Sequence, residues 1–201
     1  SLWFETESIL SLSRFGLDAD NVVAPRGVLQ GKGTVTAHQE LTIGHYVEPC
    51  FCVEGGIYMF QGATLRNLGV GLIHAGSGVF LDGTIENEGV LQMHGVILSY
   101  SNPEERFKVR GRINNSGLFE FSGGLGDRCE PDYGVDFQVE NTGTMRYVVG
   151  PGLGYYAWGQ MNGVILRNQR GGAFELDRGG FSVNAGSHFI NNGGRILLIG
   201  A

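Results

Sequence analysis

The sequence predicts an all-β chain wound as a right-handed parallel β-helix, a β-solenoid with irregular coils of about 25 residues and Asn/Gly corners. Three observations predict it. Glycine supplies 35 of 201 residues and proline only 5, yet 42% of the chain is hydrophobic. A motif reading apolar, variable, Asn, variable, Gly recurs along the chain. Short runs of alternating apolar and polar residues flank its copies.

The composition excludes two other glycine-rich classes. A chain this rich in Val, Ile, Leu and Phe buries enough apolar surface to offset its ordering entropy, so it is not disordered. Its glycines keep no three-residue period and proline is scarce, so it is not collagen.

The motif aligns without gaps in four copies, Leu65-Arg66-Asn67-Leu68-Gly69, Ile85-Glu86-Asn87-Glu88-Gly89, Ile113-Asn114-Asn115-Ser116-Gly117 and Val139-Glu140-Asn141-Thr142-Gly143. Two looser copies are Leu166-Arg167-Asn168, reaching Gly171 and Gly172, and Ile190-Asn191-Asn192, running into Gly193 and Gly194. An earlier copy is read at Leu29-Gln30-Gly31-Lys32-Gly33, with glycine in place of Asn. From Asn67 through Asn87, Asn115, Asn141 and Asn168 to Asn192 the intervals are 20, 28, 26, 27 and 24 residues.

Strand signals follow the motif at Leu91 and Met93, at Phe119 and Phe121, and at Phe174 and Leu176. They precede it at Val79-Phe80-Leu81 and Val135-Asp136-Phe137. One such repeat cannot bury its apolar face, whereas stacked coils share a continuous core with strands about 4.8 Å apart. In this reading Asn takes the left-handed backbone of a tight corner and bonds the Asn of the next coil, while Gly two residues later adds backbone freedom. Left-handed solenoids count in sixes, about 18 residues per coil, so the longer irregular spacing points to the right-handed form.

The pattern from Ile85 to Met93 and from Ile113 to Phe121 resembles the right-handed parallel β-helices (pectin-lyase-like) of secreted adhesins, autotransporter passenger domains and other surface filament proteins. The resemblance covers roughly residues 57–201. It implies an extracellular or cell-surface shaft or adhesive stalk. The same fold carries pectate lyases and polygalacturonases, so architecture alone separates no scaffold from an enzyme.

Stacking the copies puts Gln92, Glu120, Arg146 and Glu175 in one surface column. Glu86, Asn114, Glu140, Arg167 and Asn191 fall in another. Opposite charges on adjacent strands support register, which reads these groups as ladders rather than catalytic carboxylates. Two excursions interrupt the repeat and are the candidate binding loops. The acidic loop 123–136 holds Asp127, Arg128, Glu130 and Asp132, the groups a carbohydrate-binding or polysaccharide-cleaving alternative would use. The second, 148–160, holds Tyr155, Tyr156 and Trp158 among glycines.

No metal or cofactor is expected. His38, His45, His74, His94 and His188 are scattered, and Cys50-Phe51-Cys52 would send both thiols to one strand face. With Cys129 the cysteine count is odd, so a disulfide from Cys129 to Cys50 or Cys52 leaves one thiol over. Serine-nucleophile, P-loop and dinucleotide motifs are absent.

Net charge is -6, with 14 basic and 20 acidic residues and no basic segment, which argues against nucleic acid as a partner. No run approaches the ~18 apolar residues of a membrane span, so no membrane insertion is expected. Residues 1–26 fit the repeat poorly and are expected to be a cap or incoming segment, with the solenoid domain spanning 27–201. The segment Arg195-Ile196-Leu197-Leu198-Ile199 is apolar and lacks a polar cap, so the chain is expected either to be cut from a longer protein or to stack on neighbours. The function expected is a structural or adhesive solenoid that assembles with itself or with other surface proteins. Glycans are a second possible partner.

Overall fold

The computed structural model describes residues 1–4, 8–44, 55–75, 77–94, 96–98, 111–122, 124–126, 137–148, 158–177, 180–184 and 186–199. These form one all-parallel, 21-stranded sheet with no helix among the described residues. The sheet folds round one core in three columns. The first runs from Ser8–Leu12 through Arg26–Gly31, residues 55–60 and 77–81, Val96–Leu98, Leu125–Gly126 and Trp158–Asn162 to Gly180–Val183. The second runs from residues 17–19 through 34–37, 63–67 and 83–87, Arg112–Asn115, Phe137–Asn141 and Val164–Gln169 to His188–Asn192. The third runs from Leu2–Trp3 through residues 21–24 and 40–43, Val70–Ile73, Val90–Met93, Leu118–Phe121, Thr144–Val148 and Ala173–Asp177 to Arg195–Ile199.

Each strand alternates because each faces the core on one side and solvent on the other. Leu118–Phe121 shows the rule, burying Phe119 and Phe121 and leaving Leu118 and Glu120 half-exposed. The core changes along the axis. Early coils fill it with Ala24, Leu29, Val35, Ala37, Leu41 and Ile43, later ones with Phe119, Phe121, Phe137 and Tyr147. Phe121, Tyr147, Phe174, Phe181 and Phe189 pack at ring-centroid distances of 4.9 to 6.1 Å. Each such burial stabilises the fold by about 1.5–3 kcal/mol before ordering costs.

Three expectations change. Strand pairing crosses residue 26 without a break, since Ser8–Leu12 and Leu17–Ala24 pair in parallel with the strands that follow them. The missed signal is a weak alternation with small inward residues, Leu17, Ala19, Val22 and Ala24. The motif copy read at Leu29 belongs to the first column. The residues in register with Leu65-Arg66-Asn67 are instead Val35-Thr36-Ala37.

The third change is one of register at the last coil, where Asn191 and not Asn192 pairs with Asn168. A one-residue slip exchanges the two faces of a strand. Phe189 takes the inward place and meets Phe174 at 4.9 Å, which turns Ile190 outward. Bulk decides here, because Phe189 fills an aromatic core that Ile190 would fill less well.

Candidate functional site: the asparagine column and its charged flanks

Most of the buried polar side chains form a column of amides near the ends of the second-column strands. Asn67 Nδ2 donates to Asn87 Oδ1 at 2.9 Å, Asn87 to Asn115 at 2.7 Å, Asn115 to Asn141 at 2.8 Å, Asn141 to Asn168 at 2.8 Å and Asn168 to Asn191 at 2.9 Å. The steps cover 20, 28, 26, 27 and 23 residues of sequence. The other hydrogen of each amide reaches a backbone carbonyl on the next coil, at Val90, Leu118, Thr144, Ala173 and Arg195 respectively. Asn67, Asn87, Asn115, Asn141 and Asn168 are fully or almost fully buried.

Of the two reasons expected for asparagine here, the bond to the next coil's Asn holds and the left-handed corner does not. The one described non-glycine residue with positive φ is Gln61, so none of the column asparagines takes the left-handed conformation. They stand last or last but one in their strands and bond their amides from coil to coil. A planar amide with two donors and one acceptor oxygen satisfies its neighbours above and below, which an alcohol or a carboxylate would not.

The corner glycines are likewise required for space rather than for conformation. Gly69, Gly89, Gly117 and Gly143 are not among the positive-φ glycines. A Cβ at Gly117 would strike the carbonyl oxygen of Gly89, and one at Gly143 the carbonyl oxygen of Gly117. The corner of each coil thus sits on the backbone of the preceding one, and Ser116 N–H donates to Asn87 O at 2.8 Å across that contact.

Outside this column the charged side chains pair between coils. Arg146 Nε donates to Glu175 Oε2 at 2.7 Å, and Arg146 Nη1 lies 3.6 Å from Glu120 Oε2. Gln92 Nε2 donates to Glu120 Oε1 at 3.4 Å, so the expected column of Gln92, Glu120, Arg146 and Glu175 is present. The hydrogen bond to Glu175 does most to hold the Arg146 guanidinium above its ordinary value; burial opposes it, and the charges of Glu175, Glu120 and Asp177 each add less.

Arg167 donates to Glu140 Oε1 at 3.0 Å, Gln169 to Glu140 Oε2 at 2.7 Å, and Asn192 to Gln169 Oε1 at 3.3 Å. Asn192 therefore belongs to the outer row, and Ile190 stands where Asn191 was expected. Arg66 pairs with Glu88 at 2.6 Å and lies 3.9 Å from Glu86, and the Glu88 hydrogen bond raises its pKa most.

Asp127, Arg128, Glu130, Asp132, Tyr155, Tyr156, Cys50, Cys52 and Cys129 lie outside the described residues, as does His45. Trp158 begins a strand whose backbone pairs with Gly180. His38 lies 3.5 Å from Asp18, and His94 Nδ1 lies 3.2 Å from Ser122 Oγ. Among the described residues no three His, Cys, Asp or Glu side chains gather as metal ligands. A polar recess of about 460 Å³ lies at the first coil, lined by Leu17, Asp18, Ala19, Asp20 and His38 together with Ser1 and Leu2. Comparison with known proteins finds no matching family model, no matching curated protein and no matching solved structure.

Proposed function

We propose that this chain is a structural element, a right-handed β-solenoid shaft of adhesin or surface-filament type that works outside the cell and associates with copies of itself. One observation carries the reading: the buried amides and the charged side chains of the central surface columns bond to one another between coils. The buried amides bond Asn to Asn, and Glu120, Arg146, Glu175, Glu140 and Arg167 bond between coils. Groups held this way keep strands in register and stiffen a rod. The likeness of the motif to secreted β-helices supports the extracellular setting.

Electron microscopy and sedimentation equilibrium over a concentration series test the reading. Rods that lengthen or multimerise with concentration are expected. Isolated monomers at every concentration would sink self-association, and would turn attention to glycan binding.

A further inference from the structure

We propose that His74 and His94 form a two-imidazole site for a divalent transition cation such as zinc, at the corner where the third-column strands end. In one dimension these histidines look scattered. They stand 20 residues apart, which is one coil, the same step that separates Asn67 from Asn87. Val70–Ile73 pairs in parallel with Val90–Met93, with Ile73 opposite Met93 and Met93 opposite Phe121. The hydrogen bonding runs on past the strand ends. His74 N–H donates to Ile43 O at 3.0 Å, His94 N–H to Ile73 O at 2.9 Å and Ser122 N–H to Met93 O at 2.9 Å, so His74, His94 and Ser122 occupy one row on three successive coils. Neighbours in such a row are about 4.8 Å apart, within the span that one ion bridges by taking a nitrogen from each ring. Imidazole nitrogen suits zinc, copper and nickel rather than calcium or magnesium.

Ser122 prepares His94 for this role. The serine is buried, and its Oγ lies 3.2 Å from His94 Nδ1 and donates to the Met93 carbonyl at 3.5 Å. A hydroxyl that gives its one hydrogen to a carbonyl accepts from its other neighbour, which places the imidazole proton on Nδ1 and leaves Nε2 bare. The two nitrogens of an imidazole point to nearly opposite sides of the ring. With Nδ1 turned toward the coil of Ser122, Nε2 faces back toward the coil of His74. A second-nitrogen hydrogen bond of this kind fixes the tautomer and orientation of a metal-ligating histidine. Both histidines are half-buried, so the corner is open to solvent, and the remaining positions of a tetrahedral ion fall to water or to a donor from another molecule.

Calorimetric titration of zinc chloride into the full 201-residue chain tests the site, with Cys50, Cys52 and Cys129 replaced by serine so that thiols do not compete. One zinc ion bound per chain is expected. His74→Ala and His94→Ala should each weaken binding tenfold or more, and Ser122→Ala about tenfold, while His38→Ala and His188→Ala leave it unchanged. Circular dichroism and thermal melting establish that each variant folds. Nitrogen-15 NMR of the metal-free chain gives a readout that no loss of stability imitates: His94 should be in the Nδ1–H form. Absence of zinc binding, or binding that survives both His74→Ala and His94→Ala, overturns the site. An Nε2–H form of His94 overturns the role given to Ser122.

Discussion

Ala37 lies in register with Asn67, so the first amide of the asparagine column has no donor before it, and Asn67 Oδ1 is buried without a hydrogen-bond partner among the described residues. Every later Oδ1 in the column accepts from the preceding Asn. The column therefore begins with an unmet acceptor, of a kind that costs about 1–3 kcal/mol when buried.

Ala37→Asn should relieve it. Its amide would donate to Asn67 Oδ1 and to the Val70 carbonyl, as Asn67 does to Asn87 and Val90. The unmet oxygen then moves one coil outward, beside partly exposed Ala19 and the recess it lines, where water reaches. Stability should rise by about 1 kcal/mol, read as a higher denaturation midpoint. A lower midpoint would show that the site lacks room for the larger side chain.

Removing an amide from the middle of the column should cost far more than removing one outside it. Asn115→Ala deletes bonds to Asn141 and Thr144 and leaves the buried Asn141 Oδ1 without its donor. Asn192→Ala deletes one exposed 3.3 Å bond to Gln169. Chemical denaturation should give losses of about 2–4 kcal/mol for the first and under about 0.5 kcal/mol for the second. Equal losses would contradict the register at the last coil.

Corner glycines divide by cause. Gly117→Ala drives a Cβ into the Gly89 carbonyl on the neighbouring coil, which backbone alone can relieve, so the variant should lose several times more stability than Gly62→Ala. Gly62 has φ +81 with nothing within 4 Å of a new Cβ, so its loss is the conformational one, about 1–2 kcal/mol. Thermal melting of the two variants against wild type decides it. A mild Gly117→Ala would mean that successive coils are not in contact at their corners.

The surface ladder should contribute little and should weaken with salt. Glu175→Gln removes the shorter of the Arg146 ion pairs, and with Arg146 partly exposed the loss should be about 0.5 kcal/mol at low ionic strength, shrinking at high salt. The raised Arg146 pKa is stabilising at every pH below the ordinary arginine range and is lost only above it. The stability difference attributable to that arginine should therefore be the same at pH 7 and pH 9, checked by denaturation of Arg146→Met at both.

Much of this architecture is legible in one dimension because it is repetitive. The spacing of Asn67, Asn87, Asn115, Asn141 and Asn168 and the alternation of Phe119 with Phe121 each report a local constraint that every coil must satisfy in the same way. The surface columns of Glu120, Arg146 and Glu175 and of Glu140 and Arg167 follow from the same alignment. What escaped was whatever depends on neighbours. The first coil was obscured by small residues with a weak pattern, and the last asparagine was displaced by the bulk of Phe189.

By itself, then, the sequence determined the strand periodicity, the stacked coils and the identity of the amide column, because a repeat repays its physical constraint on each turn. Tertiary structure decided which of the expected reasons for those residues hold. The asparagines serve as buried bridges rather than left-handed corners, and Gly117 serves as clearance for the Gly89 carbonyl rather than as a flexible joint. Both functions arise from a second coil lying about 4.8 Å away, a distance at which any added atom meets backbone and any unpaired amide meets no water.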